Sequence, residues 1–299
     1  MPGPPASQMR AWILASRPKT LPAAAAPVIV GCGAAFYQHS FNLLPALAAL
    51  LGALLLQIGA NFANDVQDFK KGADTEERLG PLRVTQAGLL TPRQVQNGMW
   101  LVFGLAMVVG LYLFTVGGWP IIVIGLASIA CAIAYTGGPF PLGYNGLGEV
   151  FVFIFFGLVA VVGTYYVQAL AVTPLAWWVA IPIGLLATGI LAINNLRDLP
   201  TDHKVGKRTL AVRFGQQAAR REYFVLLIIT YLVPPLIWLL GLANFWVMLT
   251  WLSLPLAWPL VQIVRFQEGR VLNKVLGGTG RLELVYSLLL ALGLVLGSL

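Results

Sequence analysis

Between Phe41 and Asp68 the chain reads FNLLPALAALLGALLLQIGANFANDVQD. Positions 41 to 64 of that stretch carry no charge, and two carboxylates close it. About 20 consecutive apolar residues suffice to cross the hydrocarbon core of a bilayer. The stretch therefore reads as a membrane-spanning helix with acids at its exit. Comparable runs lie near 14 to 37, 96 to 116, 119 to 136, 148 to 170, 174 to 197, 223 to 242, 244 to 264 and 283 to 298. With 41 to 64 they predict an all-α integral membrane bundle of about nine helices, residues 1–299 forming a single domain.

Composition agrees. Of the 299 residues 58% are hydrophobic and 10% charged, whereas about a quarter of a soluble domain is charged. The Pro-rich start, Met1 to Gln8, lacks the compact apolar core and small-residue cleavage site of a signal peptide, so the first helix is expected to stay. Cys32 and Cys131 fall within apolar runs, where they read as small buried hydrophobes.

Charge sets the orientation. All 19 Lys and Arg fall before helix 1 or in the connections 2 to 3, 6 to 7 and 8 to 9, assigned to one side of the bundle. By the positive-inside rule that side is cytoplasmic. The N-terminus is then inside the plasma membrane, the cell inner membrane of a two-membrane cell, and the C-terminus outside. The net charge of +8 follows from this topology and from contact with anionic lipid, not from nucleic-acid binding. Trp119, Trp177, Trp178, Trp238 and Trp246 fall near the opposite ends, as interfacial anchors do. The 11 acidic residues share the side of the bases, which the rule does not require.

Two acid clusters account for much of that. Asn61, Asn64, Asp65 and Asp68 end helix 2, with Asp74 in the loop beyond; helical spacing places Asn61, Asp65 and Asp68 on one face. Helix 6 ends in Asn194, Asn195, Arg197, Asp198 and Asp202, and Pro200 is expected to end or bend that helix before Asp202. Helices 2 and 6 run in the same direction, giving a parallel repeat of about four helices with a ninth left over. Carboxylates at a helix C-terminus oppose the macrodipole, so a cation is expected among them. Oxygen donors suit Mg²⁺, which commonly takes one or two carboxylates plus phosphate oxygens and water. Facing clusters can hold two Mg²⁺ ions bridging a diphosphate, with Lys70, Lys71, Arg78, Arg83, Lys207 and Arg208 offsetting its remaining charge.

At these residues the chain resembles the UbiA superfamily of membrane prenyltransferases. Asn64, Asp65, Asp68 and Asp74 match its first motif, the last acid displaced by two positions, and Asp198 and Asp202 match its second. It is most similar to the branch acting on 1,4-dihydroxy-2-naphthoate in menaquinone synthesis. That likeness rests on 17 to 22, 71 to 83, 135 to 139, Gly143-Tyr144-Asn145-Gly146-Leu147-Gly148-Glu149, and 194 to 209. The resemblance implies transfer of a polyprenyl chain from its diphosphate to the naphthoate, with decarboxylation, giving a demethylmenaquinol. Asp65, Asp68, Asp198 and Asp202 would carry the catalytic metal site, and Asp74 would join them. Asn61, Asn64, Arg17, Lys19, Tyr135, Asn145, Glu149 and Asn194 are substrate-site candidates beside the basic residues above. His203 reads as a solvated loop residue, and Gly72, Gly80, Gly137, Gly138, Gly143, Gly146 and Gly206 as turn formers.

Two rivals follow from the same residues. A UbiA-type enzyme could take 4-hydroxybenzoate, haem or a chlorophyll precursor as acceptor. A secondary transporter would place its polar site near the membrane midplane on broken helices, whereas these acids gather at one end.

Overall fold

A computed structural model describes residues 8–73 and 78–299, and the described residues are helical throughout apart from their connections. We number the helices α1 (Gln8–Ser16), α2 (Leu21–Tyr37), α3 (Leu43–Lys70), α4 (Pro92–Gly117), α5 (Trp119–Ala134), α6 (Gly148–Ala169), α7 (Pro174–Lys204), α8 (Leu210–Phe214), α9 (Gln216–Leu239), α10 (Phe245–Phe266) and α11 (Leu272–Ser298). Eight of these segments are long and apolar enough to cross a membrane, α1 and α2 counting as one, and the shorter α5 makes a ninth. The expected count holds.

Several boundaries move, each for a physical reason. The first span is broken at Arg17, which adopts a left-handed φ of 51° before a short 3₁₀ turn at Pro18–Thr20. α3 continues through the acid motif to Lys70. α7 passes Pro200 and reaches Lys204 instead of ending there. A proline in a last turn removes one intrahelical bond; Val205 N–H on the Thr201 carbonyl and Lys207 N–H on the Asp202 carbonyl hold the end together. α11 begins at Leu272, well before the predicted start at 283. Lys274 and Arg281 therefore belong to a helix and not to a connection. Glu283 lies about 16 Å along that helix, at 1.5 Å per residue, fully buried and with neither carboxylate oxygen bonded. The expected grouping of every acid on the charged face fails at this residue.

Two apolar clusters hold the bundle. One joins α2, α6, α7, α9, α10 and α11 around Ile183, Leu186, Tyr223, Val247, Leu282 and Tyr286. The other joins α1, α3 and α4 around Phe62, Val66, Val95, Met99 and Phe103, and takes in Val84 and Leu90 from the connecting loop. Lipid-facing helices gain little from hydrophobic burial against one another, so close backbone approach carries the association. A Cβ on Gly33 would stand 2.8 Å from Ala291, and one on Gly157 would stand 2.6 Å from the Gly184 Cα. Trp119, Trp177, Trp238 and Trp246 project outward, whereas Trp178 packs on the larger core. Cys32 and Cys131 are free and half-buried, not fully buried as predicted.

Candidate active site

α3 and α7 bring their acid motifs to one cavity of about 850 Å³. Asn61, Asn64 and Asp68 line it from α3, and Asn194, Asn195, Asp198 and Asp202 from α7. Asp65 does not line it, which corrects the expected face. At about 100° per residue the cavity side of α3 is the 61, 64, 68 stripe, and Asp65 sits at its edge, next to the loop. Its carboxylate instead accepts the backbone N–H groups of Val84 and Thr85, each at 3.2 Å. Asp65 thus fastens the loop that carries Arg83.

Two buried ion pairs stand at the mouth. Arg83 donates to Asp68 Oδ2 at 2.7 Å. Arg197, almost wholly buried, donates through Nε to Asp198 Oδ1 at 2.8 Å and through Nη2 to Oδ2 at 2.5 Å. Its remaining bonds go to Asn194 Oδ1 and Asn273 Oδ1, both at 2.7 Å. Asn273 in turn donates to the Leu79 carbonyl at 2.8 Å, tying the 78 to 83 loop over the site. Gly80 permits that closure by close approach, since a Cβ there would meet Arg197 Nη2 at 2.8 Å. Burying such pairs gives little stability but fixes where the acids stand, because losing one partner strands a charge.

A third connection links the two motifs. Tyr144 donates to Asp68 Oδ1 at 2.6 Å, and Lys207, which pairs with Asp202 at 3.2 Å, stands 4.6 Å from the centre of the Tyr144 ring. Lys71 lies over the same ring at 4.9 Å and does not line the cavity. Asn61 holds α3 to the first turn, donating to the Ser16 carbonyl at 2.9 Å and to Thr20 Oγ1 at 3.1 Å. Asn64 accepts from Thr136 Oγ1 at 3.0 Å.

Of the other candidates, Arg17, Lys19, Arg78, Arg83, Tyr135 and Lys207 line the cavity. Arg17 is distinctive. Its left-handed backbone is uncommon for a side chain with a Cβ, and its Nη2 is buried with no hydrogen-bond partner. Burial, reinforced by Glu149, Asp68 and Asp202, raises the pKa of the Tyr135 phenol well above its ordinary value. It therefore stays protonated and can donate a hydrogen bond, but it is no base at neutral pH. Gly143 and Gly148 leave room for its ring and hydroxyl, so Gly143 serves close approach and not a turn alone.

Three further candidates, beyond Asp65 and Lys71, fall outside the cavity wall. Asn145 makes a local bond to the Pro141 carbonyl. Glu149 is buried and accepts from Asn195 Nδ2 at 2.7 Å. Arg208 is exposed, and its backbone N–H bonds the Tyr144 carbonyl. Asp74 lies outside the described residues. Sequence reasoning passed over Tyr144, Arg197, Asn273 and Thr136 as site members. Tyr144, Arg197 and Thr136 offered a signal, by standing within matched motif stretches, and Asn273 offered none.

Among the described residues no three acidic, His or Cys side chains converge as a closed metal site. Asp68, Asp198, Asp202 and Asn64 nevertheless present hard oxygen donors at one mouth, which suits Mg²⁺ completed by substrate phosphate and water. Away from the mouth the wall is mostly apolar, formed by α2, α3, α4, α5, α6 and α7. A polar mouth of acids and arginines on an apolar shaft is suited to an amphiphile with an anionic head. The profile of the UbiA prenyltransferase family matches residues 24–274, and the chain belongs to that family. It is 42% identical to the 1,4-dihydroxy-2-naphthoate octaprenyltransferase of Mycobacterium tuberculosis, over 96% of this chain and 98% of that one. It is 39% identical to the enzyme of the same name from Escherichia coli, over 97% and 96%. The fold is shared with a UbiA homologue from Aeropyrum pernix, at TM-score 0.70 and 14% identity over 93% of this chain and 98% of that one. A UbiA homologue from Archaeoglobus fulgidus bound to DMAPP and Mg²⁺ gives TM-score 0.65 at 16% identity, with 93% and 98% covered.

Proposed function

We propose that this protein transfers a polyprenyl chain from its diphosphate to 1,4-dihydroxy-2-naphthoate, with loss of the carboxyl group, as a step of menaquinone synthesis. The observation that carries the prenyl-transfer reading is the single cavity joining an acid- and arginine-lined mouth to an apolar shaft. The acceptor follows from the names of its bacterial relatives. The diphosphate lies at the mouth, among Arg17, Lys19, Arg78 and Lys207. Asp68, Asp198, Asp202 and Asn64 would hold Mg²⁺, two ions in our reading, and Arg83 and Arg197 keep the acids in place. Bound Mg²⁺ neutralises the diphosphate and eases its departure.

The protein's own groups supply the rest. The shaft excludes water from the prenyl C1 as the C1–O bond breaks, so the naphthoate ring is the nucleophile within reach. Tyr135 offers a protonated hydroxyl beside the acceptor and an aromatic face towards developing positive charge. The charged end faces the cytoplasm, the side from which the diphosphate head and the acceptor approach, and the C-terminus lies outside.

The test is incubation of the purified protein in lipid nanodiscs with prenyl diphosphates and a panel of aromatic acceptors, with Mg²⁺ or with EDTA, read by mass spectrometry. A decarboxylated prenyl naphthoquinol formed only with the metal is expected. Prenylation of 4-hydroxybenzoate and not of the naphthoate would overturn the acceptor assignment.

A further inference from the structure

The helix glycines divide into two kinds. Most are required by packing: a Cβ on Gly31 would meet Thr164 at 2.7 Å, on Gly59 the Phe103 ring at 2.3 Å, and on Gly293 the Trp246 carbonyl oxygen at 2.3 Å. Of the cavity-lining glycines that packing does not require, Gly277 stands one turn from Asn273 at the mouth, whereas Gly52, Gly110, Gly125 and Gly163 stand deeper. A Cβ would meet nothing within 4 Å at Gly110 or Gly125, and only ordinary contacts of 3.6 Å at Gly52 and 3.8 Å at Gly163. Glycine is the poorest helix former after proline, and here no neighbour demands it.

All four line the cavity, one each from α3, α4, α5 and α6. Gly52, Gly125 and Gly163 stand about 15 to 24 Å, at 1.5 Å per helical residue, from Asp68, Tyr135 and Glu149 of the same stretches of chain. Gly110 lies about two turns from the far end of α4. A ring of missing side chains thus surrounds the deep part of the shaft, remote from the acids. We infer that Gly52, Gly110, Gly125 and Gly163 set the length of prenyl chain the enzyme accepts, by keeping the deep shaft wide enough for the distal isoprene units. This rests on the prenyl-diphosphate reading above and adds its length gauge. A short chain ends before these positions, and a long one must pass them.

Gly104 supplies a control. It also has open space around its Cβ position, on α4, but it does not line the cavity. Equilibrium binding of radiolabelled geranyl and octaprenyl diphosphate, with Mg²⁺ and without acceptor, is measured on wild type, Gly110→Leu, Gly125→Leu and Gly104→Leu in nanodiscs. Each cavity variant is expected to weaken octaprenyl diphosphate binding about tenfold, the size of an overpacking cost, while geranyl diphosphate binds as in wild type. Alanine at the same positions should give a smaller loss in the same direction, and Gly104→Leu none at either length. Unchanged octaprenyl binding in both cavity variants would overturn the gauge, as would equal losses at both lengths. Because no acceptor is present, failure of the naphthoate assignment would leave this binding result standing and remains distinguishable from failure of the gauge.

Discussion

Tyr144 donates a hydrogen bond to Asp68 Oδ1 at 2.6 Å, from a ring whose face carries Lys207, the partner of Asp202. One aromatic side chain thereby couples the acid motif of α3 to that of α7. Tyr144→Phe keeps the ring and deletes the bond. A hydrogen bond to a charged group contributes about 1.5–3 kcal/mol, so Tyr144→Phe should lower the melting temperature and, by releasing Asp68 from its place at the mouth, reduce turnover roughly tenfold or more. Tyr144→Leu, which also removes the seat of Lys207, should lose more. Steady-state rates and thermal unfolding of the two variants check this, and wild-type turnover in Tyr144→Phe would show that the hydroxyl is not the coupling element.

Asp65 and Asp68 should separate by assay. Asp65→Asn withdraws a charged acceptor from two buried backbone N–H groups and is expected to cost about 1–3 kcal/mol of stability, seen as a lower melting temperature. Asp68→Asn keeps the side chain's shape at the cavity mouth but removes its negative charge. It should abolish Mg²⁺-dependent turnover in a protein that still folds, at a lower melting temperature because Arg83 loses its partner. Prenyl transfer retained by Asp68→Asn would remove Asp68 from the proposed metal site.

Arg17 sets stability against function. A left-handed backbone costs a residue with a Cβ about 1–2 kcal/mol, and glycine relieves that strain. Arg17→Gly should therefore unfold no earlier than wild type, yet raise KM for prenyl diphosphate by about tenfold or more, one charge-assisted hydrogen bond being lost. Arg17→Gln, which keeps the strain, should show the same KM defect with lower stability than Arg17→Gly.

Glu283 is buried with no partner for either carboxylate oxygen, and Ser287 Oγ, one turn further along α11, has none either. Replacing an unsatisfied polar group by an apolar one of similar length is expected to stabilise by about 1–3 kcal/mol. Glu283→Met should melt higher in nanodiscs and keep prenyl-transfer activity, since Glu283 does not line the cavity. A fall in melting temperature would reveal that the carboxyl bonds a neighbouring helix.

Much of the fold was legible because the bilayer imposes a simple rule on sequence. A segment without charge from 41 to 64 must span, and Lys and Arg must collect on one side, so the nine spans needed no knowledge of contacts. Boundaries at motif ends were not legible. Arg17 broke the first span by adopting a backbone that its neighbours do not announce. α7 passed Pro200 because tertiary bonds hold the turn beyond it. Glu283 was misassigned for the same reason: the start of α11 depends on packing against α2, α7 and α10 as well as on hydropathy.

The acid motifs, taken from spacing alone, identified the right end of the right helices. The sequence by itself determined a membrane bundle, its charged face, and the prenyltransferase resemblance of that face, since residue type and helical period are written in the chain. Only the tertiary structure decided that Asp68 faces the cavity while Asp65 fastens a loop. Both residues have the same chemistry and lie within one turn of each other. The choice falls to the loop folded against one side of α3 and the cavity on the other.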